Sequence, residues 1–388
     1  MLLPQRIRIA DVEDLGTELV SNIGSVDLAY PALLRGRGLG TEAAFVQFLL
    51  TWANISASRK LVLLDTMRPD EYAERLSERL TGRVAALLCT SAKRQRGSEE
   101  YTRLIKSVSE RHVLGTYYNR HITRENVTGR SIVVLCADTA GFGEPRSVYH
   151  ENINGSLEVK DLAAFQDIAD SSFSAIIHDV YDRALTVDED FVQATASLLF
   201  ELFSNTHDHA RSNLGGEPLQ ASCRGFQVRI VSGEDTSLME AAAGYQPLTD
   251  YLSGLNVLQN RTRQMAEISV FDAGPGFAQQ ITKTPLDDLS PTREREAVDR
   301  CFARGVSTKS HRRYGQGLPQ VISLLRQRQG FLRLRTGRLS LACDLGKEAS
   351  LPREITPTFS EWSPPGRNSC SHAQGSCVTL LMPLEKRL

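Results

Sequence analysis

Residues 188–210, "DEDFVQATASLLFELFSNTHDHA", constrain the fold more than any other stretch. Leu198, Leu199, Leu202 and Phe203 recur at helical spacing, and Asp188 or Asp190 is placed to cap the N-terminus. Within this apolar helix, Glu201, Asn205 and Asp208 fall at i, i+4 and i+7 and share one face. Such a helix must bury most of its surface yet keep one stripe in contact with something polar. Taken alone, the exposed face of an ordinary amphipathic helix explains the stripe better than a site does.

Three further stretches give the stripe a chemical use. Asp272-x-Gly274-x-Gly276 closes the hydrophobic run "AEISVFDAGPG". "GVSTKSHRRYGQGLP", 305–319, is glycine-rich and basic and runs into a helix. Gly375-Ser376 opens the last strand-like segment. A carboxylate on a rigid helix can orient and deprotonate an attacking water. An asparagine one turn further on offers a neutral oxygen to Mg²⁺, a hard cation that keeps much of its water. An aspartate at a strand end can accept from the exocyclic amine of adenine, with glycines beside it letting the backbone approach the base. Glycines just before a helix present N–H groups to phosphates. From Arg300 to Ser340 there are ten Lys or Arg and no Asp or Glu, which suits a triphosphate. The same charge also suits nucleic acid, a partner that is less favoured.

In this order the four stretches resemble the GHKL ATPase superfamily, which includes gyrase, histidine kinases and the mismatch-repair ATPase. "ELFSNTHDHA" is similar to its N box, "DAGPG" to its G1 box, "CFARGVSTK" to the segment opening its ATP lid, and "GQGLP" to its G2 box. "GSCVTLLMPL" resembles its closing strand, with Ser376 where threonine is usual. The resemblance covers roughly 165–388. It implies ATP and Mg²⁺ as ligands, Glu201 as the general base and Asn205 as the Mg²⁺ ligand. It implies Asp272 as the adenine reader, with Gly274 and Gly276 shaping that wall. Gly315 and Gly317 would cradle phosphates and Lys309 would reach them from the lid. Asp208 stands where some relatives keep a polar contact near the nucleotide. Many relatives pair, so a homodimer is one expectation.

Hydrophobic residues make up 41% of the 388 and charged residues 23%, as in a folded globular chain. The net charge of −1 gives no global attraction to nucleic acid or membrane. Seven dispersed cysteines without a C-x-x-C pair argue against zinc and for a reducing compartment. No apolar run is long enough to span a membrane and no signal-peptide core is evident, so a cytoplasmic location is expected.

Periodicity predicts an α/β N-terminal domain, 1–150, and an α+β domain, 160–388; the resemblance implies that the second binds ATP and that the first is a regulatory or sensor domain with its own protein partner. The second domain is expected to hold a mixed sheet with helices on one face, the Bergerat-type fold implied by the resemblance. Strands are expected at 6–10, 60–65, 83–90 and 131–138, and helices at 41–56 and 70–80. Residues 139–156 read as a linker, 233–264 as an insertion and 345–374 as a second long excursion. An excess of nine Lys or Arg over four Asp or Glu in 91–130 reads as a solvated face.

Three function classes remain. The first is an ATPase whose nucleotide state drives a conformational or dimerisation switch, favoured by Glu201 four residues before Asn205. The second is a serine or histidine protein kinase; His178 lacks the expected context for the histidine type. The third is a non-hydrolysing ATP switch.

Overall fold

The computed structural model describes the chain except for residues 23, 33, 37, 65–66, 96–99, 118–121, 124–125, 128–129, 138–143, 181–184, 220, 256–261, 304–316, 353–354 and 385–388. The N-terminal part runs β1 (Arg6–Ile7), α1 (Ile9–Ser21), β2 (Leu28–Tyr30), β3 (Arg35–Gly36), α2 (Thr41–Ile55), β4 (Lys60–Leu63), α3 (Pro69–Ser77), α4 (Leu80–Leu88), β5 (Ser91–Arg94) and α5 (Thr102–Tyr117). Strands β2, β4 and β5 form a parallel sheet, and β1 pairs with β3 in parallel. Pro69 at the first helical position, with Asp70 and Glu71 in the first turn, starts α3 in the usual way.

The rest of the chain supplies β6 (Ser131–Cys136), β7 (Tyr149–Glu151), β8 (Leu157–Val159), α6 (Leu162–Val180), α7 (Glu189–His209), β9 (Arg224–Glu234), α8 (Asp235–Ala242), α9 (Gln246–Gly254) and β10 (Thr262–Asp272). It continues with α10 (Phe277–Thr282), α11 (Pro291–Cys301), α12 (Gly317–Gln327), β11 (Phe331–Gly337), β12 (Leu339–Asp344), β13 (Ser360–Glu361) and β14 (Ala373–Pro383). The large sheet has seven strands in the order β13-β12-β11-β14-β10-β9-β6. Every pair in it is antiparallel, so the mixed sheet expected for this half is corrected. Parallel pairing is found instead in the small N-terminal sheets.

Side chains alternate across the large sheet with period two. Ala266, Ile268 and Val270 of β10 join Leu198, Leu199, Leu202 and Phe203 of α7 in one core. Helices α6 and α12 complete that layer. The opposite face is covered as well. Phe271 and Cys377 share a core with Phe45, Val46 and Leu49 of α2. The second face is closed further by the α8–α9 segment, where Leu238 of α8, Tyr245 capping α9 and Leu248 of α9 pack with Met265, Phe331 and Trp362. The expectation of helices on one face is therefore corrected to a sheet between two layers. The cause lies in α2, whose residues 41–53 are buried on every side. A helix that is largely apolar and buried all round must be enclosed, and the large sheet supplies one wall.

Four local expectations change. Residues 83–90 lie mostly in helix α4, not in a strand, because a short apolar run is ambiguous between the two. Ile9 and Ala10 begin α1 instead of ending a strand. The linker holds β7, which pairs with β8 in a hairpin. Strand β6, assigned to the N-terminal domain, is an edge of the large sheet.

Candidate functional site

Helix α7 begins at Asp188, whose carboxylate accepts from the Phe191 N–H at 2.7 Å, and ends at Ala210. Glu201 and Asn205 are half-buried along it and Asp208 is exposed near its end. Strand β10 ends at Asp272, which is only 9% exposed and lies opposite Ser376 of β14. The Asp272 Oδ1 accepts from the Gly274 N–H at 2.8 Å, and the Ser376 N–H also faces the carboxylate. Burial pushes the Asp272 carboxyl up to about 6, against the downward pull of those N–H groups and of Arg224.

Two glycines let the turn close. A Cβ on Gly274 would stand 2.7 Å from the Ala210 Cα, so the turn lies directly on the C-terminal end of α7. Gly276 has φ +87°, and a Cβ there would meet the Thr336 Oγ1 at 2.6 Å. That hydroxyl accepts from the Phe277 N–H at 3.1 Å and lies 3.4 Å from the Ser376 Oγ. Gly375 has φ +70°, and a Cβ there would stand 1.8 Å from the Asp272 carbonyl oxygen.

Asp272, Gly274, Gly276 and Ser376 thus meet at one end of β10 and β14, against the end of the helix that carries Glu201, Asn205 and Asp208. Gly317 is the first residue of α12, which packs on α7. Lys309 and Gly315 lie outside the described residues, as does most of the stretch expected to form the lid.

Several groups of this region had no spacing signal. Arg224, fully buried at the start of β9, donates to the Tyr149 hydroxyl at 2.5 Å and stacks over its ring. The Tyr149 hydroxyl lies 3.1 Å from His207 Nδ1 on α7. Burial pushes the Tyr149 phenol up, so it stays a neutral bridge. Arg211 and Arg224 both approach Glu144, at 2.9 and 3.7 Å. These residues come from three separate segments, which only the fold brings together. His209 is held below its usual value by burial and by Lys283, and its Nδ1 is 3.1 Å from Gln280 Nε2.

Among the described residues no group of three or more His, Cys, Asp or Glu is arranged to hold a metal ion, and no helix is long and apolar enough to cross a membrane. No family model, curated protein or solved structure matches the chain.

Proposed function

We propose that the chain is a GHKL-type ATP-binding protein with a Bergerat-type fold, and that it hydrolyses ATP with Mg²⁺ to drive a conformational or dimerisation switch. The observation that carries this reading is the contact of Gly274 with Ala210. It sets a buried carboxylate acceptor beside the end of a helix whose polar stripe runs back about 14 Å to Glu201. An acceptor at one end and a half-buried carboxylate at the other suit a ligand with a base and a polyphosphate.

In this reading Asp272 accepts from the adenine amine, and Gly274 and Gly276 keep the wall thin enough for the base. Glu201 orients water and takes its proton. The donor set fits Mg²⁺, because Asn205 offers a neutral oxygen one helical turn from the Glu201 carboxylate and a hard cation needs few protein ligands. When bound, Mg²⁺ neutralises charge on the phosphates. Gly317, at the start of α12, offers a helix N-terminus to phosphate oxygens. The N-terminal part, packed on the far face of the sheet, is the regulatory partner surface in the same proposal, and the protein acts in the cytoplasm.

The test is incubation with γ-labelled ATP and Mg²⁺, following free phosphate and protein-bound label in wild type, Glu201→Ala and Asn205→Ala. Phosphate release lost in both variants supports the ATPase. Label retained on the protein points to a kinase. Binding without either signal leaves a non-hydrolysing switch, and no binding ends the reading.

A further inference from the structure

Gln374 sits between α2 and the turn after Asp272. Its side-chain amide donates to the Ala273 carbonyl at 2.7 Å and to the Gly274 carbonyl at 2.9 Å. Its own backbone N–H donates to the Thr51 hydroxyl of α2 at 2.9 Å. Thr51 is 3% exposed, and its hydroxyl donates back to the Gln47 carbonyl at 2.8 Å, so it cannot rotate freely. The Gln47 amide in turn donates to the Arg335 carbonyl at 2.9 Å, beside Thr336. A continuous hydrogen-bonded path therefore runs from α2 through Gln374 to the turn.

We infer that Gln374 is a positioning residue through which helix α2 sets the geometry of the Asp272–Gly276 turn. The Pro275 and Gly276 carbonyls are held from α10 by the Gln279 amide and the Gln280 N–H, and Gln374 holds the Ala273 and Gly274 carbonyls that precede them. Gly274 and Gly276 have no side chains to pack, and Gly375 lies directly under the Asp272 carbonyl. An amide that grips two successive carbonyls fixes two successive peptide planes, and the first of them carries the Gly274 N–H that donates to the Asp272 carboxylate. Because coupling between two sites is reciprocal, a ligand that draws the turn to itself pulls on α2 through the same bonds. The consequence for base recognition rests on the ATP reading proposed above; the mechanical link does not.

The experiment compares wild type with Thr51→Val, Thr51→Ser and Gln374→Ala in two measurements. The first is hydrogen–deuterium exchange over residues 272–277 in the ligand-free protein. The second is titration with ATP and with inosine triphosphate, which lacks the amine that Asp272 would read. Thr51→Val keeps the side-chain shape and removes the acceptor; Thr51→Ser keeps the acceptor. Exchange at the turn is expected to rise about fivefold in Thr51→Val and Gln374→Ala and to stay at the wild-type level in Thr51→Ser. ATP affinity and its margin over inosine triphosphate are expected to fall in the same two variants and to be retained in Thr51→Ser. Unchanged exchange in Thr51→Val and Gln374→Ala, or equal changes in Thr51→Val and Thr51→Ser, would overturn the inference. Should Gln374→Ala fail to fold, the Thr51 pair carries the test alone. Raised exchange in Thr51→Val and Gln374→Ala, in a protein whose wild type binds no nucleotide, would keep the link and discard the ATP reading.

Discussion

Asp272 combines two properties that rarely coexist, being a carboxylate that accepts backbone N–H groups and one whose burial still raises its pKa to about 6. A raised acid contributes stability that is complete below its unfolded value near 3.8 and is lost as pH rises through 6. The ionised form thus costs the empty protein stability, by about 3 kcal/mol above pH 6. Asp272→Asn is expected to recover much of that at pH 8, measured by denaturant unfolding against wild type. On the ATP reading proposed above, the same substitution should weaken ATP binding about 10- to 100-fold at pH 8, since it removes a charged acceptor. Wild-type affinity should decline as pH drops below 6, and the variant should lack that dependence; calorimetric titration at pH 5 and 8 reads both. The D-x-G-x-G spacing made Asp272 and its glycines visible in sequence. Arg224 and Tyr149 were invisible, because nothing local links residue 224 to residue 149.

Among the elements, α7 matched its reading closely because three signals agree there: an acidic cap, helical apolar spacing and a polar stripe. Helix α4 stands where a strand was expected because "VAALLC", after Arg83, is apolar throughout and shows neither period. The turn after β10 depends on contact between elements. Gly274→Ala would press a methyl against the Ala210 backbone, which has no rotamer with which to yield. We expect a loss of about 1–3 kcal/mol in unfolding free energy together with weaker nucleotide binding. A protein with wild-type stability and affinity would show that the turn and the end of α7 separate at no cost. The insertion after β9 forms α8 and α9 because Leu238, Tyr245 and Leu248 need cover, and Trp362 from the second excursion meets them.

Across the whole molecule, the large sheet is closed on its second face by the N-terminal part, and charge is buried in that contact. Glu13 of α1 reaches Arg333 at 3.0 Å and Arg335 at 2.9 Å, all three nearly fully buried. Burial alone would raise the Glu13 pKa; Arg335 and Arg333 outweigh it and hold the carboxyl below its ordinary 4.5. A lowered acid contributes stability that is present above its unfolded value and lost as pH falls through the folded one. Wild type should therefore lose stability progressively below pH 4.5. Glu13→Gln leaves two buried guanidinium groups short of a counter-charge and should cost about 3–5 kcal/mol at pH 7, with a flatter acid limb in thermal scans. Residues 131–388 expressed alone would expose the α2-facing side of β10, β11 and β14. That fragment is expected to aggregate or to lack a cooperative transition by calorimetry, whereas independent folding would make the N-terminal part dispensable for stability.

Local chemistry could be read from the chain alone. The caps, the polar stripe of α7, the glycines after Asp272 and strands β6, β10 and β14 of the large sheet depend on spacing within a few residues, where periodicity and backbone sterics act. The second layer over the sheet, the exchange of β6 from one half to the other, the Glu13–Arg335 pair and the Gln374 bridge were decided only by the tertiary structure. Each joins residues far apart in sequence, and no rule of spacing encodes which buried polar group will satisfy another once the chain has closed around it.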